Sequence, residues 1–221
     1  MRQIAVLGAT GSIGRSTLDV IARHPDRYQA TVLAANRSVD DMEILCRQHM
    51  PPYAIMGQPD AAESLRERLS DSARITVLSG SEPLDDLVAD PAIHSVVAGI
   101  VGFAGLRSAL SAARAGKHIL LANKEALVSA GGLFMETVRS GGATLLPVDS
   151  EHNAMHQCLP IMNDGRPDMT HVEKIVLTAS GGPFRGRSRE VLDDVTPAEA
   201  CAHPNWSMGQ KISVDSATLA N

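Results

Sequence analysis

Short apolar runs alternate along most of the chain with segments in which apolar residues recur every three or four positions. The short runs are typical of buried strands and the longer periodic segments of helices. Regular alternation of the two predicts an α/β fold with a parallel sheet. The predicted strands are 3–7, 29–34, 53–56, 75–78, 95–101 and 118–121, followed by the run that starts at Leu145 and, later, 172–178.

The first predicted strand is followed at once by the glycine-rich stretch GATGSIG, residues 8–14, and then by a helical pattern that reaches His24. Glycines at such a turn let the backbone approach a pyrophosphate, and the helix N-terminus supplies free N–H groups. The spacing is a variant of the dinucleotide fingerprint, with an ordinary tight turn as the alternative. We therefore predict a Rossmann-like, doubly wound parallel sheet.

The end of the second predicted strand indicates which dinucleotide is bound. NAD enzymes place an acid there for the ribose 2'-hydroxyl, whereas this chain has Asn36, Arg37 and Ser38. A guanidinium beside neutral donors suits a 2'-phosphate, which favours NADP(H). The alternative is that Arg37 is a solvated loop charge and that Ser38 forms a capping box with Asp41.

The stretch LLPVDSEHN, residues 145–153, is an apolar run that ends in two carboxylates. If the chain stays extended there, Asp149 and Glu151 lie on the same side and repel each other unless they share a cation. Such hard oxygen ligands suit Mg²⁺ or Mn²⁺. Alternatively, Asp149 or Ser150 caps a helix that begins near His152.

Lys124 and Glu125 follow the predicted strand 118–121, at the edge of the sheet where ligands gather. Lys124 is a candidate for steadying a substrate oxyanion, and a surface ion pair is the alternative. Past residue 150 the pattern changes, so we predict domains at 1–150 and 151–221. In the second domain, Ser180 followed by two glycines predicts an anion-binding nest or a simple loop.

The stretch HPNWSMG, residues 203–209, holds the only tryptophan of the chain in a loop of small and polar residues. A large ring in such a loop indicates a lid that closes over a ligand. The alternative is that Trp206 anchors the loop to the core and that His203 is a structural hydrogen-bonding residue.

Composition argues against several classes of function. A net charge of -5 and only 3% aromatic residues argue against nucleic acid binding. No apolar run is long enough to span a membrane, and the N-terminus does not resemble a signal peptide, so we expect a cytoplasmic protein. Cys46, Cys158 and Cys201 are too widely spaced for a disulfide framework or zinc site and are predicted to be reduced packing residues.

Six motifs in this order and spacing resemble the 1-deoxy-D-xylulose 5-phosphate reductoisomerase family: GATGSIG, LLANKE, LLPVDSEHNA, SGGPF, HPNWSMG and KISVDSATLAN. The resemblance spans the whole chain. It implies an NADPH-dependent enzyme that makes 2-C-methyl-D-erythritol 4-phosphate for isoprenoid synthesis. Retro-aldol and aldol steps would precede hydride transfer, with a metal as Lewis acid. The implied partners are a small phosphorylated sugar and, for the intact protein, a second copy in a homodimer.

The resemblance also implies a role for individual residues. Catalytic roles fall to Lys124, Glu151 and His203, and metal binding to Asp149 and Glu151. The implied cofactor contacts are Thr10, Gly11, Ser12, Ile13, Asn36, Arg37, Ser38, Asn123, Glu125 and Gly209. The implied substrate contacts are Lys124, Ser150, Glu151, Ser180, His203, Trp206, Ser216 and Asn221.

The family continues beyond the motif that ends at Asn221 with a further metal ligand and the rest of an α+β catalytic domain. We therefore expect a truncated form with an incomplete catalytic domain and impaired turnover. Two other hypotheses stay open at this point. They are another two-domain NADP-dependent dehydrogenase, which would need no metal, and a Rossmann module that binds NADP without catalysis.

Overall fold

A computed structural model describes residues 1–162, 167–178, 180–205 and 209–218, apart from the side chains of Lys211 and Thr218. Within it the chain divides into two compact units, Met1–Asp149 and Ser150–Asn221.

The first unit is built on a seven-stranded parallel sheet with the order β4-β3-β2-β1-β5-β6-β7. The sequence prediction of an α/β parallel sheet is confirmed. The order reverses between β1 and β5, which creates the crevice where ligands bind in doubly wound folds. The strands are β1 (Arg2–Leu7), β2 (Tyr28–Ala35), β3 (Tyr53–Met56), β4 (Thr76–Ser79), β5 (Ser95–Ala98), β6 (His118–Leu121) and β7 (Thr144–Pro147).

Helices cover both faces of this sheet. Successive strand residues point to opposite sides, so the apolar side chains on each face need helices to bury them. Ile4 and Val6 of β1 pack in one core with the first three helices, whereas Ala5 and Leu7 pack in the other core with the next three. The helices are α1 (Ser12–Arg23), α2 (Val39–His49), α3 (Pro59–Arg68), α4 (Ser81–Ala89), α5 (Leu106–Arg114) and α6 (Glu125–Gly141), with a 3-10 turn at Gly102–Gly105.

Glycines let the turns that follow β1 and β5 approach each other closely at the point where the strand order reverses. Gly8, which has a positive φ of 78°, follows β1, and a Cβ on it would lie 2.5 Å from the carbonyl oxygen of Gly99. Gly99 follows β5, and a Cβ on it would lie 2.8 Å from the carbonyl oxygen of Leu7. Gly14 in α1 packs equally closely, since a Cβ would lie 2.6 Å from Cα of Ala9. The crevice therefore has walls of bare backbone.

In its described residues, the second unit contains helices, short turns and one isolated antiparallel bridge between Ile161 and Pro167. It contains α7 (Ser150–Cys158), α8 (Pro197–Ala200) and α9 (Gln210–Thr218), with 3-10 turns at Gly182–Phe184 and Arg189–Val191. The capping box of Thr196 and Glu199 is present at the start of α8. The backbone and side chain of Thr196 and the nearby Arg187 hold the pKa of Glu199 down at about 2. No helix in the described parts of either unit is long and apolar enough to cross a membrane.

Three sequence expectations are wrong in the described residues. The chain does not stay extended past β7; a helix begins there, as the alternative interpretation held, but already at Ser150, so Glu151 is helical. Residues 172–178 form no strand, since no ladder with another described segment satisfies their backbone. Cys46 is buried as expected, and burial raises its pKa to about 12, but Cys158 is exposed at the end of α7. All three cysteines are free, as predicted.

Gly14→Ala should lower the free energy of unfolding by about 1–3 kcal/mol, because the added methyl group meets backbone that cannot move aside. Gly132→Ala in α6 is the matched control. A Cβ at that position meets nothing within 4 Å, so the change should stabilise the helix by up to about 1 kcal/mol. Urea denaturation followed by circular dichroism measures both. Equal effects of the two substitutions would contradict the close packing of α1.

Candidate functional site

The N-terminus of α1 is exposed at the end of the glycine loop and suited to an anion. Its N-cap is Gly11, which forms no side-chain capping bond, and its first turn contains no acidic residue. Gly11 and Ser12 are exposed, whereas Thr10 and Ile13 are half-buried. The first N–H groups of the helix and its positive end are therefore available to a pyrophosphate.

The segment after β2 presents the predicted 2'-phosphate residues to solvent. Asn36, Arg37 and Ser38 are all exposed. The Asn36 carboxamide lies close over Gly57, where a Cβ would come within 2.6 Å of Asn36 Oδ1. Sequence reasoning missed Gly57, although a glycine directly after a strand was a signal of such an approach.

The alternative capping role of Ser38 is wrong. Ser38 occupies the N-cap of α2, but its side chain makes no capping bond. The carboxylate of Asp41, the predicted partner of Ser38 in the capping box, pairs with Arg15 instead, at 2.7 Å. The Ser38 hydroxyl is thus not committed to the helix.

Asn123 lies at the end of β6 and is buried. Its Nδ2 donates to the carbonyl oxygen of Gly102 at 2.8 Å, and its Oδ1 accepts from the backbone N–H of Ala126 at 3.2 Å. Gly105 makes room for it, since a Cβ there would lie 2.7 Å from Asn123 Nδ2. The carboxamide therefore joins the turn after β5 to the start of α6.

Lys124 and Asp149 come together within the first unit. The Lys124 ammonium lies 3.7 Å from Asp149 Oδ2, and only 14% and 17% of the two side chains are exposed. The pair is thus an ion pair, as the alternative interpretation of Lys124 held, but it is not on the surface. Glu125 begins α6 beside it and is half-buried.

In the second unit, the predicted ligand Glu151 lies in the first turn of α7. The Ser150 hydroxyl donates to Glu151 Oε2 at 2.6 Å. Glu151 also lines a groove of about 540 Å³ between α7 and the segment 171–178, together with Met155, Cys158, Lys174, Val176 and Thr178. Glu173, Lys174 and His171 line the same groove, so it mixes charged and apolar side chains.

Three predicted substrate residues of the second unit form one hydrogen-bonded group. Ser180 Oγ lies 3.1 Å from His203 Nε2 and 2.8 Å from Ser216 Oγ. Sequence spacing did not reveal this contact, because the three residues lie far apart in the chain. These three side chains meet only in the folded protein.

The directions of these bonds follow from the neighbouring backbone. His203 Nδ1 accepts from the N–H of Asn205 at 3.2 Å, so the proton of a neutral ring resides on Nε2 and is donated to Ser180. Ser180 Oγ also accepts from the N–H of Gly182 at 3.2 Å. Its acceptor capacity is then filled, and its own hydrogen goes to Ser216. Ser216 is thus the acceptor in its bond with Ser180.

Not all of the predicted site residues belong to the part of the chain that the structure describes. Trp206 and Asn221 lie outside the described residues, so the lid prediction stays a prediction. Gly209 is described and exposed. Within the described residues, no group of three or more His, Cys, Asp or Glu side chains is arranged to hold a metal ion.

Comparisons with known proteins agree on one family. The family model of 1-deoxy-D-xylulose 5-phosphate reductoisomerase matches residues 4–131, and the model of its C-terminal domain matches residues 145–221. The reductoisomerase of Ralstonia nicotianae is 58% identical over 100% of this chain and 56% of its own length. That of Nitrosococcus oceani is also 58% identical, over 99% of this chain and 56% of its length.

Solved structures give the same result. A DOX-P reductoisomerase in complex with NADPH, fosmidomycin and magnesium superposes with a TM-score of 0.91 at 46% identity, covering 100% of this chain and 55% of that one. The enzyme from Zymomonas mobilis in complex with NADPH gives 0.86 at 45% identity, covering 99% and 54%. The chain thus spans just over half the length of the relatives it matches.

The hydrogen-bond directions predict the tautomer of His203. In ¹⁵N-labelled protein, at a pH where the ring is neutral, the nitrogen shifts should show the proton mainly on Nε2, because Nδ1 is an acceptor. Ser180→Ala should weaken this preference by removing one of the two partners. Finding the proton mainly on Nδ1 would contradict the arrangement of Ser180, His203 and Ser216.

Proposed function

The chain belongs to the 1-deoxy-D-xylulose 5-phosphate reductoisomerase family, and from this premise we propose that it binds NADPH in the crevice between β1 and β5. One observation carries the proposal. A glycine-walled crevice opens at an uncapped helix N-terminus and is followed along the sheet by an exposed segment with a guanidinium and no acid. A pyrophosphate and a 2'-phosphate each find suitable donors there.

Individual residues then have distinct roles toward the cofactor. The backbone of Thr10, Gly11, Ser12 and Ile13 would bind the pyrophosphate. Asn36, Arg37 and Ser38 would bind the 2'-phosphate and its ribose. The remaining proposed contacts lie toward the nicotinamide and are Asn123, Glu125 and Gly209. Because the carboxamide of Asn123 already holds two backbone groups, it contributes chiefly by fixing the turn at Gly102.

We propose Asp149 and Glu151 as ligands of Mg²⁺ or Mn²⁺. Carboxylate oxygens suit these ions, which commonly bind through one or two carboxylates and take their other ligands from water and substrate. The chemistry of the residues present therefore fits the ion. A cation at Asp149 would share the carboxylate with the Lys124 ammonium, which lies 3.7 Å away. The bound ion would act as a Lewis acid toward substrate oxygens.

For the whole protein, we propose conversion of 1-deoxy-D-xylulose 5-phosphate to 2-C-methyl-D-erythritol 4-phosphate in isoprenoid biosynthesis, with NADPH supplying the hydride. Lys124 would bind a substrate oxygen as a cation, with Ser150 and Glu151 near the same groups. Ser180, Ser216 and Asn221 would bind the substrate and its phosphate. His203 holds Ser180 in place through Nε2, and Trp206 would close over the substrate.

The remaining proposals concern the protein's setting. We propose that the whole protein is a cytoplasmic homodimer and that the NADPH-binding domain ends near residue 150, followed by the beginning of the catalytic domain. The division of the chain after Asp149 supports that boundary. The homodimer and the location rest on the resemblance to the family.

Two titrations of this chain test the proposed function. NADPH fluorescence should report saturable binding. Electron paramagnetic resonance should report loss of free Mn²⁺ on binding, and Asp149→Asn should weaken that binding by at least about tenfold without changing NADPH affinity. Asp86→Asn, the same change at an exposed residue of α4, should alter neither.

Each titration has an outcome that rejects its part of the proposal. Absence of NADPH binding would reject the cofactor assignment. Equal Mn²⁺ affinity in Asp149→Asn and the unmodified chain would reject Asp149 as a ligand. NADPH binding in a chain that takes up no Mn²⁺ would instead favour a plain dinucleotide-binding module.

A further inference from the structure

Arg15 connects the two segments to which we assign the ends of the cofactor. It lies in the first turn of α1, directly after Gly14. Its Nη2 is 2.7 Å from Asp41 Oδ1, and its Nε donates to the carbonyl oxygen of Thr10 at 3.1 Å. Thr10 belongs to the glycine loop, and Asp41 lies three residues after Ser38. The guanidinium therefore links the glycine loop to the first turn of α2, the helix that directly follows the segment proposed to bind the 2'-phosphate.

The acidic residues in the first turn of α2 need neighbouring cations if a phosphate is to bind beside them. The first turn of α2 contains Asp40 and Asp41, directly after the segment proposed to bind the 2'-phosphate. Unbalanced carboxylates there would repel a phosphate. Arg68 lies 2.5 Å from Asp40, and Arg15 pairs with Asp41. Each acid thus has its own guanidinium.

The ion pair of Arg15 and Asp41 is too exposed for its contribution to folding stability to explain its presence. Their side chains are 47% and 46% exposed, and ion pairs so accessible to water contribute little to folding. A guanidinium also carries more N–H donors than these two partners use. Arg15 can therefore keep Thr10 and Asp41 as partners and still donate to a phosphate oxygen.

We propose that Arg15 is a specificity-determining residue that binds the 2'-phosphate of NADPH together with Arg37. Asp41 and the Thr10 carbonyl hold its guanidinium in place before the cofactor arrives. This assignment rests on the proposed function, namely that the chain binds NADPH.

Dissociation constants for NADPH and NADH, measured on the chain and its variants, test this role. Arg15→Ala should weaken NADPH binding by about tenfold or more and NADH binding by less than about threefold, because NADH lacks the 2'-phosphate. Arg37→Ala should show the same selectivity. Arg23→Ala is the matched control, because Arg23 lies in the same helix and pairs with Asp19 at 2.8 Å, but at the far end of α1. It should change neither constant.

A second pair of variants separates direct binding from simple neutralisation of Asp41. Asp41→Asn alone should leave NADPH binding unchanged or tighter, because the carboxamide oxygen can still accept from the Arg15 guanidinium but carries no charge that repels the phosphate. In the variant with both Arg15→Ala and Asp41→Asn, binding should stay weak if Arg15 contacts the phosphate. Recovery of the original affinity would show that Arg15 only offsets Asp41, and this would overturn the assignment.

The other outcomes are equally decisive. If Arg15→Ala weakens the binding of NADPH and of NADH equally, Arg15 only supports the glycine loop. If it weakens the binding of neither, Arg15 does not belong to the site. Both overturn the assignment while leaving NADPH binding by the chain intact. Failure of the unmodified chain to bind NADPH would instead reject the proposed function itself, and the assignment with it.

Discussion

The close approach of two backbones at the reversal point of the sheet is the constraint on which the proposed site depends. β1 and β5 are neighbours, and each is followed by a glycine, Gly8 or Gly99, on which a Cβ would clash with the backbone at the end of the other strand. Because the two turns leave no room for a Cβ, the N-terminus of α1 lies directly at the crevice rather than behind a layer of side chains. An anion can then reach backbone N–H groups, the donors that a pyrophosphate needs.

Charge is arranged differently in the first turns of α1 and α2. The first turn of α1 has no acid, so its positive end is available to a ligand. The first turn of α2 has two acids, and each is paired with an arginine. The N-terminus of α1 therefore keeps its positive potential for the proposed anion, whereas the acids at the N-terminus of α2 stabilise that helix and are held by two arginines.

Much of this arrangement could be predicted from sequence because its signals are local. Alternating strand and helix patterns predict the parallel sheet, and the glycines after the first strand predict the crevice. The corner after β7 could not be predicted, because apolar periodicity does not reveal whether residues after Pro147 continue extended or begin a helix. The group formed by Ser180, His203 and Ser216, and the pair of Arg15 with Asp41, were beyond sequence reasoning because each joins residues that are remote in the chain.

The central claim is that the crevice between β1 and β5 is where NADPH binds. A titration of the ¹⁵N-labelled chain with NADPH, followed by the amide resonances, tests it most directly. The amides of Gly11, Ser12 and Ile13 and of Arg37 should shift together and saturate at one concentration. Saturable shifts confined to other parts of the chain, with these amides unmoved, would contradict the claim.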